Sequence, residues 1–337
     1  MWTKIVEGAG GSDGRRTGAW WSDRASSAVA SAILDVMRIA VMQDKAVVGD
    51  VDANLAIIDR RAGEAAARRA DVLVTPELFV TGYAPKRLHA GDPTQQTDIA
   101  GALAATAARH GIAVLASYPE VATADTPATR GGGAPGETAR HREPTLLDAQ
   151  AAQRVASTLR DVEAARHIAA TLFDTDGHPI LHYRKVNLFD DDEAAAFSSG
   201  TDAPTTVELA GMRVSVIICF DVEYPEMTRA AALAGADVIL VPTALTAGFD
   251  DVPQVLVRAR ALENGVGLAY ANHVGVEDGL TFGGASVIVG PDGGLLAQGG
   301  DGAELLVADI TRDDVAAARD AVPYLAKLRR DTYASWR

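Results

Sequence analysis

One seven-residue phrase occurs twice, and it constrains the fold more than any other feature of the chain. Ala70-Asp71-Val72-Leu73-Val74-Thr75-Pro76 is echoed by Ala236-Asp237-Val238-Ile239-Leu240-Val241-Pro242. Each copy follows an Ala-rich stretch of helical character, carries an unbroken aliphatic run and stops at proline. A short run of this kind reads as a strand buried on both faces, and proline closes it. Two helix–strand units suggest two sheets facing each other with helices outside.

The rest of the chain fills in that frame. Residues 37–43 read as a strand, and 52–69 as a helix capped by Asp50 or Asp52, with Leu55, Ile58, Ala62, Ala65 and Ala66 near one face. Residues 103–110 read as a second helix stopped by Gly111, and 112–116 as a strand. Asp176-Gly177 sits between two apolar runs, 171–174 and 179–183, and signals a hairpin; Asp292-Gly293 does the same between 285–289 and 295–297. Strands are expected at 214–219, 238–241, 267–272 and 305–310, with helices at 226–234 and 252–264. Two regions stand outside this pattern. Residues 1–36 are Gly-rich and aperiodic, an N-terminal extension, so that Met37 is an alternative start. Residues 121–166 read as a surface insertion, with a Gly/Pro/Thr-rich arm leading into a polar helix from 146. The principal domain is then 37–312, followed by a segment at 313–337.

Charge and cysteine usage narrow the function classes. Asp and Glu number 45 against 31 Lys and Arg, a net charge of −14, with no basic run. Such a chain is a poor partner for nucleic acid or an anionic membrane surface. No apolar stretch approaches the ~20 residues of a membrane span, and residues 1–36 lack a secretory signal pattern. The single cysteine, Cys219, excludes an intramolecular disulfide and fits a reducing compartment; a cytoplasmic location is expected.

Cys219 ends the apolar run Val216-Ile217-Ile218 and precedes a turn and a helix. A thiol there can sit at an exposed sheet edge, where backbone N–H groups favour its thiolate; a buried, inert thiol is the alternative. A nucleophilic thiol needs a base. His273 lies after a strand, but no Cys–His signature surrounds Cys219. Glu77, after the first copy of the phrase, and Lys185, after the first hairpin, also sit at strand ends. A carboxylate in such a pocket has a raised pKa and can take a thiol proton. A buried ammonium and the N–H of Phe220 can hold an oxyanion. Taken singly, Glu77 reads equally as a capping carboxylate and Lys185 as a surface charge. His178 and His182 are four apart on a hairpin strand without further ligands nearby, so no metal site is expected.

Three segments in order carry a resemblance: 75–83 around Glu77, 183–189 around Lys185 and 218–226 around Cys219. Together they resemble the Glu, Lys and Cys motifs of the nitrilase superfamily of carbon–nitrogen hydrolases, with 258–264 and 271–272 similar to its later blocks. The resemblance implies an α/β fold, a four-layer α-β-β-α sandwich, and an amidase needing no cofactor. It implies Glu77 as general base, Lys185 as oxyanion stabiliser, Cys219 as nucleophile, and a second acid in the run Asp190-Asp191-Asp192-Glu193. The spacing back from Phe197 favours Glu193, with Asp192 as alternative. It also implies a small-molecule amide substrate and a homo-oligomer, with residues 311–337 as contact segment. The segments 219–229, 241–244, 275–278 and 322–329 are similar to bacterial amidases acting on 5-aminopentanamide. N-carbamoyl amine hydrolases and nitrilases share the triad, and an inactive binding protein on the same fold is the alternative of another class. Tyr83, Glu223, Thr243 and Glu277 are substrate-binding candidates, with Asp278 a further carboxylate for an ammonium group. One departure stands out: His167-Ile168 occupies the place of the family's usual Tyr-Asn pair.

Overall fold

Strand β1 (Val36–Gln43) shows how the layers are built: Ile39 and Val41 face one core, Ala40 and Met42 another. Side chains alternate across a strand, so a strand with both faces buried must lie between two layers. The computed structural model describes residues 36–89, 98–121 and 166–336. The N-terminal extension and the insertion, with its expected helix from 146, lie outside the described residues apart from their edges.

Among the described residues, two six-stranded sheets form the centre. The first runs β14 (Glu304–Thr311), β1, β2 (Val72–Val74), β3 (Ala113–Val121), β4 (Arg166–Phe173), β5 (Pro179–Arg184). The second runs β13 (Leu295–Gln298), β12 (Val287–Val289), β9 (Gly267–Ala271), β8 (Val238–Pro242), β7 (Met212–Val216), β6 (Thr206–Leu209). A separate hairpin, β10 (Val274–Glu277) with β11 (Leu280–Gly283), follows β9. The echoed phrase supplies β2 and β8, each hydrogen-bonded in parallel to both neighbours.

The inter-sheet core takes Ile39, Val41, Val74, Leu115 and Leu172 from the first sheet, and Val214, Val216, Val238 and Leu240 from the second. On the outer face of the first sheet, Ala40, Met42, Leu73 and Val114 pack on α1 (Val51–Ala67) through Ile58, Ala62 and Ala65, and on α2 (Ile99–His110) through Leu103 and Ala107. Asp50 is the α1 cap, its side chain accepting from Ala53 N. Helix α2 begins a turn earlier than its apolar periodicity indicates, because Asp98 caps it, and ends at Gly111 in the left-handed region. Helices α4 (Pro225–Leu233) and α5 (Val257–Asn264) cover the second sheet with Ala231, Ala232, Val257 and Ala261. Small residues on these helices let the layers approach closely. The expected four-layer α-β-β-α sandwich is therefore observed. Other boundaries also differ from expectation: the 214–219 strand ends at Val216, the strand expected at 112–116 runs on to Val121, and the helix expected from 252 opens with a π turn, Val252–Leu256.

The topology collects chemistry at one end. Strand β5 is antiparallel to β4, and β4 to β3, so β5 runs in the same sense as β2 and β3. The segments after β2, β5, β7, β8 and β9 carry Glu77, Lys185, Cys219, Thr243 and His273 respectively. Crevices beyond the carboxyl ends of parallel strands are where open α/β sheets bind ligands. His167 sits within β4, its ring Nδ1 2.8 Å from the Ser198 carbonyl, while Ile168 is in the core.

Candidate active site

Cys219 opens a 3₁₀ turn, Cys219–Glu223, with φ of +49°. The left-handed region costs a residue bearing a Cβ about 1–2 kcal/mol, so the surroundings must impose it. They do so from two sides. Asp221, fully buried, accepts from Ile218 N (3.2 Å), Tyr183 Oη (2.8 Å), Asn187 N (2.8 Å) and Asn187 Nδ2 (2.9 Å). Arg260 of α5 donates to the carbonyls of Val222 (3.1 Å) and Glu223 (2.7 Å). One carboxylate thus ties the cysteine turn to the segment after β5, and one guanidinium grips the far end of the turn. Phe220 N–H is among the first amides of this turn, which a short helix leaves without internal partners.

Lys185 is fully buried, its Nζ 2.8 Å from Glu77 Oε1 and 2.8 Å from both oxygens of Glu193. Its backbone is pinned by Ile168 O and Gly200 N. A Cβ at Gly200 would lie 2.5 Å from the Arg184 carbonyl, so this close approach requires glycine. Glu193 is fully buried on α3 (Asp191–Ala196), capped by Asp190, and accepts from Phe189 N (2.8 Å) and Tyr83 Oη (2.6 Å). Asp192 instead meets Lys86 at the surface, 3.0 Å away. Glu193, not Asp192, is the acid at Lys185.

Glu77 is fully buried on a turn fixed by its N–H to Thr243 O (3.1 Å) and by Leu78 N to Ser117 Oγ (3.1 Å). Oε1 takes the Lys185 ammonium, while Oε2 is buried without a well-formed hydrogen bond. Burial pushes the Glu77 carboxyl up to about 7, with Glu193 adding to the rise and Lys185 and the neighbouring Cys219 thiol opposing it. Burial, then the charge of Glu77, raises the Cys219 thiol well above its ordinary range against the pull of Lys185. Cys219 therefore rests as a protonated thiol beside a carboxylate that can ionise near neutral pH. Burial pulls Lys185 down, but Glu77, Cys219 and Glu193 outweigh it and keep the ammonium charged. This arrangement can move one proton from sulfur to carboxylate while a fixed cation waits for negative charge.

The substrate-binding candidates divide. Glu277 is 1% exposed and committed: Oε1 accepts from Ala46 N and lies 2.8 Å from His273 Nδ1, and Oε2 accepts from Tyr83 N. It is a structural acceptor, which corrects its expected role toward an ammonium group. Tyr83 spends its hydroxyl on Glu193, and Thr243 donates its own to Tyr270 Oη (2.9 Å), so both brace the site. Asp278 pairs with Arg87. Glu223 remains: its carboxylate is half-buried and, among the described residues, receives no hydrogen bond. Burial raises its pKa against the charges of Lys185 and Arg260. Beside it in the chain, Phe220 packs edge-to-face on Tyr224 (5.1 Å) and Phe189 (5.3 Å), and Phe189 on Phe249 (6.4 Å). His273 is no base for the thiol, because its Nε2 is bonded to the Glu77 main-chain carbonyl. His178 and His182 diverge, His182 toward Thr171 and Glu120 and His178 toward Asp174.

Sequence reasoning passed over Asp221, Tyr183, Arg260 and Tyr270. Asp221 and Tyr183 were visible as polar neighbours of Cys219 and Lys185, but their mutual contact spans 38 positions.

The sequence pattern of the carbon–nitrogen hydrolase family matches residues 38–132 and 154–320. The chain belongs to that family. A crystal structure of an amidase from Nesterenkonia sp. is 36% identical, with a TM-score of 0.71, covering 89% of this chain and 96% of that one. In a mutant of the amidase from Nesterenkonia sp. AN1, also 36% identical with a TM-score of 0.71, the acetamide moiety of fluoroacetamide is covalently attached at the active-site cysteine. A hydrolase from Pseudomonas protegens is 33% identical over 88% of this chain and 90% of its own length. The 2-oxoglutaramate amidase of Bacillus subtilis is 29% identical over 80% of this chain and 89% of its own. The expectation of an enzyme that hydrolyses carbon–nitrogen bonds holds for this carbon–nitrogen hydrolase. No helix among the described residues is long and apolar enough to cross a membrane.

Proposed function

We propose that this carbon–nitrogen hydrolase converts small aliphatic primary amides carrying a terminal amino group, such as 5-aminopentanamide, to the carboxylate and ammonia. The observation that carries this reading is the buried cluster of Glu77, Lys185 and Glu193 beside the Cys219 thiol. Glu77 takes the thiol proton as sulfur bonds to the amide carbon. The oxyanion is held by Lys185 and by Phe220 N–H. Glu77 then gives the proton to the amide nitrogen, the C–N bond breaks and ammonia leaves. Water, its proton taken by Glu77, attacks the thioester; the C–S bond breaks and the thiol regains its proton. Glu193 keeps Lys185 in place throughout.

The amino group is assigned to Glu223, whose uncommitted, half-buried carboxylate suits an alkylammonium. The similarity of segments 219–229 and 322–329 to amidases acting on 5-aminopentanamide supports the same substrate class. An ammonia-release panel of 5-aminopentanamide, pentanamide, a carbamoyl amine and an aliphatic nitrile tests it. 5-Aminopentanamide is expected to have the highest kcat/KM; preference for the nitrile or the carbamoyl amine refutes the assignment. Glu223→Gln is expected to raise KM for 5-aminopentanamide roughly 10- to 100-fold and to leave pentanamide nearly unchanged. Equal effects on both amides remove Glu223 from ammonium recognition.

The pH profile follows from Glu77. Only its ionised form accepts the thiol proton, and burial holds its pKa at about 7. The activity is therefore present above that value and lost as pH falls through it, by about tenfold per pH unit in kcat/KM. A profile flat down to about pH 5, near the ordinary glutamate value, contradicts Glu77 as the base.

A further inference from the structure

His273 lies where the two sheets meet, and both of its ring nitrogens face acceptors. Nε2 is 2.7 Å from the main-chain carbonyl of Glu77, and Nδ1 is 2.8 Å from Glu277 Oε1. A carbonyl oxygen only accepts, so Nε2 carries hydrogen. Glu277 also accepts backbone N–H groups from Ala46 (2.8 Å) and Tyr83 (3.1 Å), which favours its ionised form. A carboxylate only accepts, so Nδ1 carries hydrogen as well. An imidazole with two N–H groups is a cation. Its ring is flanked by Phe79 (centroids 5.5 Å, planes at 28°) and Phe282 (5.1 Å, 37°), within the ~6 Å reach of cation–π attraction. His273, Glu277, Phe79 and Phe282 are all buried.

We propose that His273 is a standing imidazolium, locked by Glu277, that positions the Glu77 turn for catalysis. The inference rests on reading Glu77 as the base. The carbonyl that His273 grips precedes Leu78, whose φ of +52° makes this peptide one that needs outside support. A charge-assisted hydrogen bond supplies it. The same Glu277 holds Tyr83 N, and Tyr83 Oη holds Glu193, so the pair braces both carboxylates around Lys185. His273 follows β9 of the second sheet and Glu77 follows β2 of the first, so the contact also fixes the sheets against each other across the site.

The groups around His273 set the sign of its pH dependence. Glu277 faces it from the β10–β11 hairpin and Glu77 from the turn after β2. Beyond β1, the Asp44 main-chain carbonyl accepts from Val274 N while its carboxylate is occupied by Arg61, the Lys45 stem lies against Gly275, and Asp278 pairs with Arg87. Burial pulls His273 down, but Glu277 and then Glu77 outweigh it, so its pKa rises above 6.5. Burial pushes Glu277 up, but His273 outweighs it and lowers its pKa. The histidine contribution is full below its unfolded value and lost as pH rises through the raised one. The glutamate contribution is full above its unfolded value and lost as pH falls through the depressed one.

Nitrogen-15 NMR of the full chain labelled in histidine tests the charge directly, with the His273 signal assigned by its loss in His273→Gln. Two protonated ring nitrogens at neutral pH and a midpoint above the ordinary value of about 6.5 are expected. A neutral tautomer, or a midpoint at or below that value, overturns the proposal. His273→Gln is expected to lower kcat roughly 10- to 100-fold, with KM changed far less, and to move the acid limb of kcat/KM to higher pH, because a cation near Glu77 is lost. A lower yield of folded enzyme whose surviving molecules keep the wild-type kcat and acid limb reduces His273 to a packing residue and also overturns it. If the variant does not fold, Glu277→Gln with NMR on His273 decides: the ring is expected to become neutral, and a ring still charged overturns the assignment of Glu277 as its lock. An active Glu77→Gln enzyme sinks the base while the NMR result stands apart.

Discussion

Cys219→Ala is expected to lower ammonia release by about 10⁴- to 10⁶-fold while leaving the protein folded. The acyl group has no other acceptor at the site. Lys185 is a charged ammonium held by Glu77 and Glu193, and the hydroxyls of Tyr83 and Thr243 are spent on Glu193 and Tyr270. In the proposed mechanism, what remains in the variant is Lys185 and the Phe220 amide, which would polarise the carbonyl without attacking it. The fold is expected to survive because only sulfur is lost. Alanine keeps the Cβ, so the strain at φ +49° is unchanged, and the turn is still held by Asp221 and Arg260. The small void costs about 1 kcal/mol by the usual scale for a removed buried group. Ammonia release, amide affinity and mass spectrometry check this together. The wild type is expected to show a transient acyl adduct on the Cys219 peptide, and the variant none while still binding amide. Turnover within tenfold of wild type rejects the thioester route.

The parts of the structure that were legible in the sequence depend on local periodicity. Val72–Val74 and Val238–Pro242 are apolar on both faces, and such runs have few places to go other than the middle of a layered sheet. The position of Cys219 was legible only to within a turn. The strand stops at Val216 because Asp221 draws Ile218 N and the following residues into a 3₁₀ turn, a local competition between side chain and ladder that hydrophobicity does not reveal. The fates of the carboxylates were least legible. Glu277 and Glu223 are both acidic residues near motif segments, yet Glu277 is consumed by Ala46, 231 positions away, and Tyr83, 194 away. Whether a carboxylate is buried and satisfied depends on such distant partners. For the same reason, motif order indicated Glu77, Lys185 and Cys219, while the bracing of Glu77 by His273 had to be seen in three dimensions.

Lys185→Met is expected to reduce kcat/KM by at least about 10³-fold and to destabilise the protein by about 3–5 kcal/mol near neutral pH. Methionine keeps most of the stem, so packing changes little, but the ammonium bonded to Glu77 and Glu193 is gone. Loss of one oxyanion donor accounts for about 10²–10³ in rate. The remainder comes from the carboxylates. Without the cation, Glu77 and Glu193 face each other in a fully buried space and cannot both ionise, so they share a proton, as paired carboxylates do. The base is then protonated at neutral pH, and the acid limb of the variant is expected well above that of the wild type. Breaking a buried ionic network by removing one partner typically costs about 3–5 kcal/mol. The cost must depend on pH with a definite sign. In the variant the carboxyl pKa in the folded state lies far above its unfolded value, so folding holds extra protons between the two. Stability is therefore lost as pH rises through that window. Urea denaturation of both proteins at about pH 5 and about pH 8, values on either side of the wild-type Glu77, is expected to show the larger stability gap at the higher pH. An equal gap at both, with turnover within tenfold of wild type, means that Lys185 neither carries the oxyanion nor holds the two carboxylates apart.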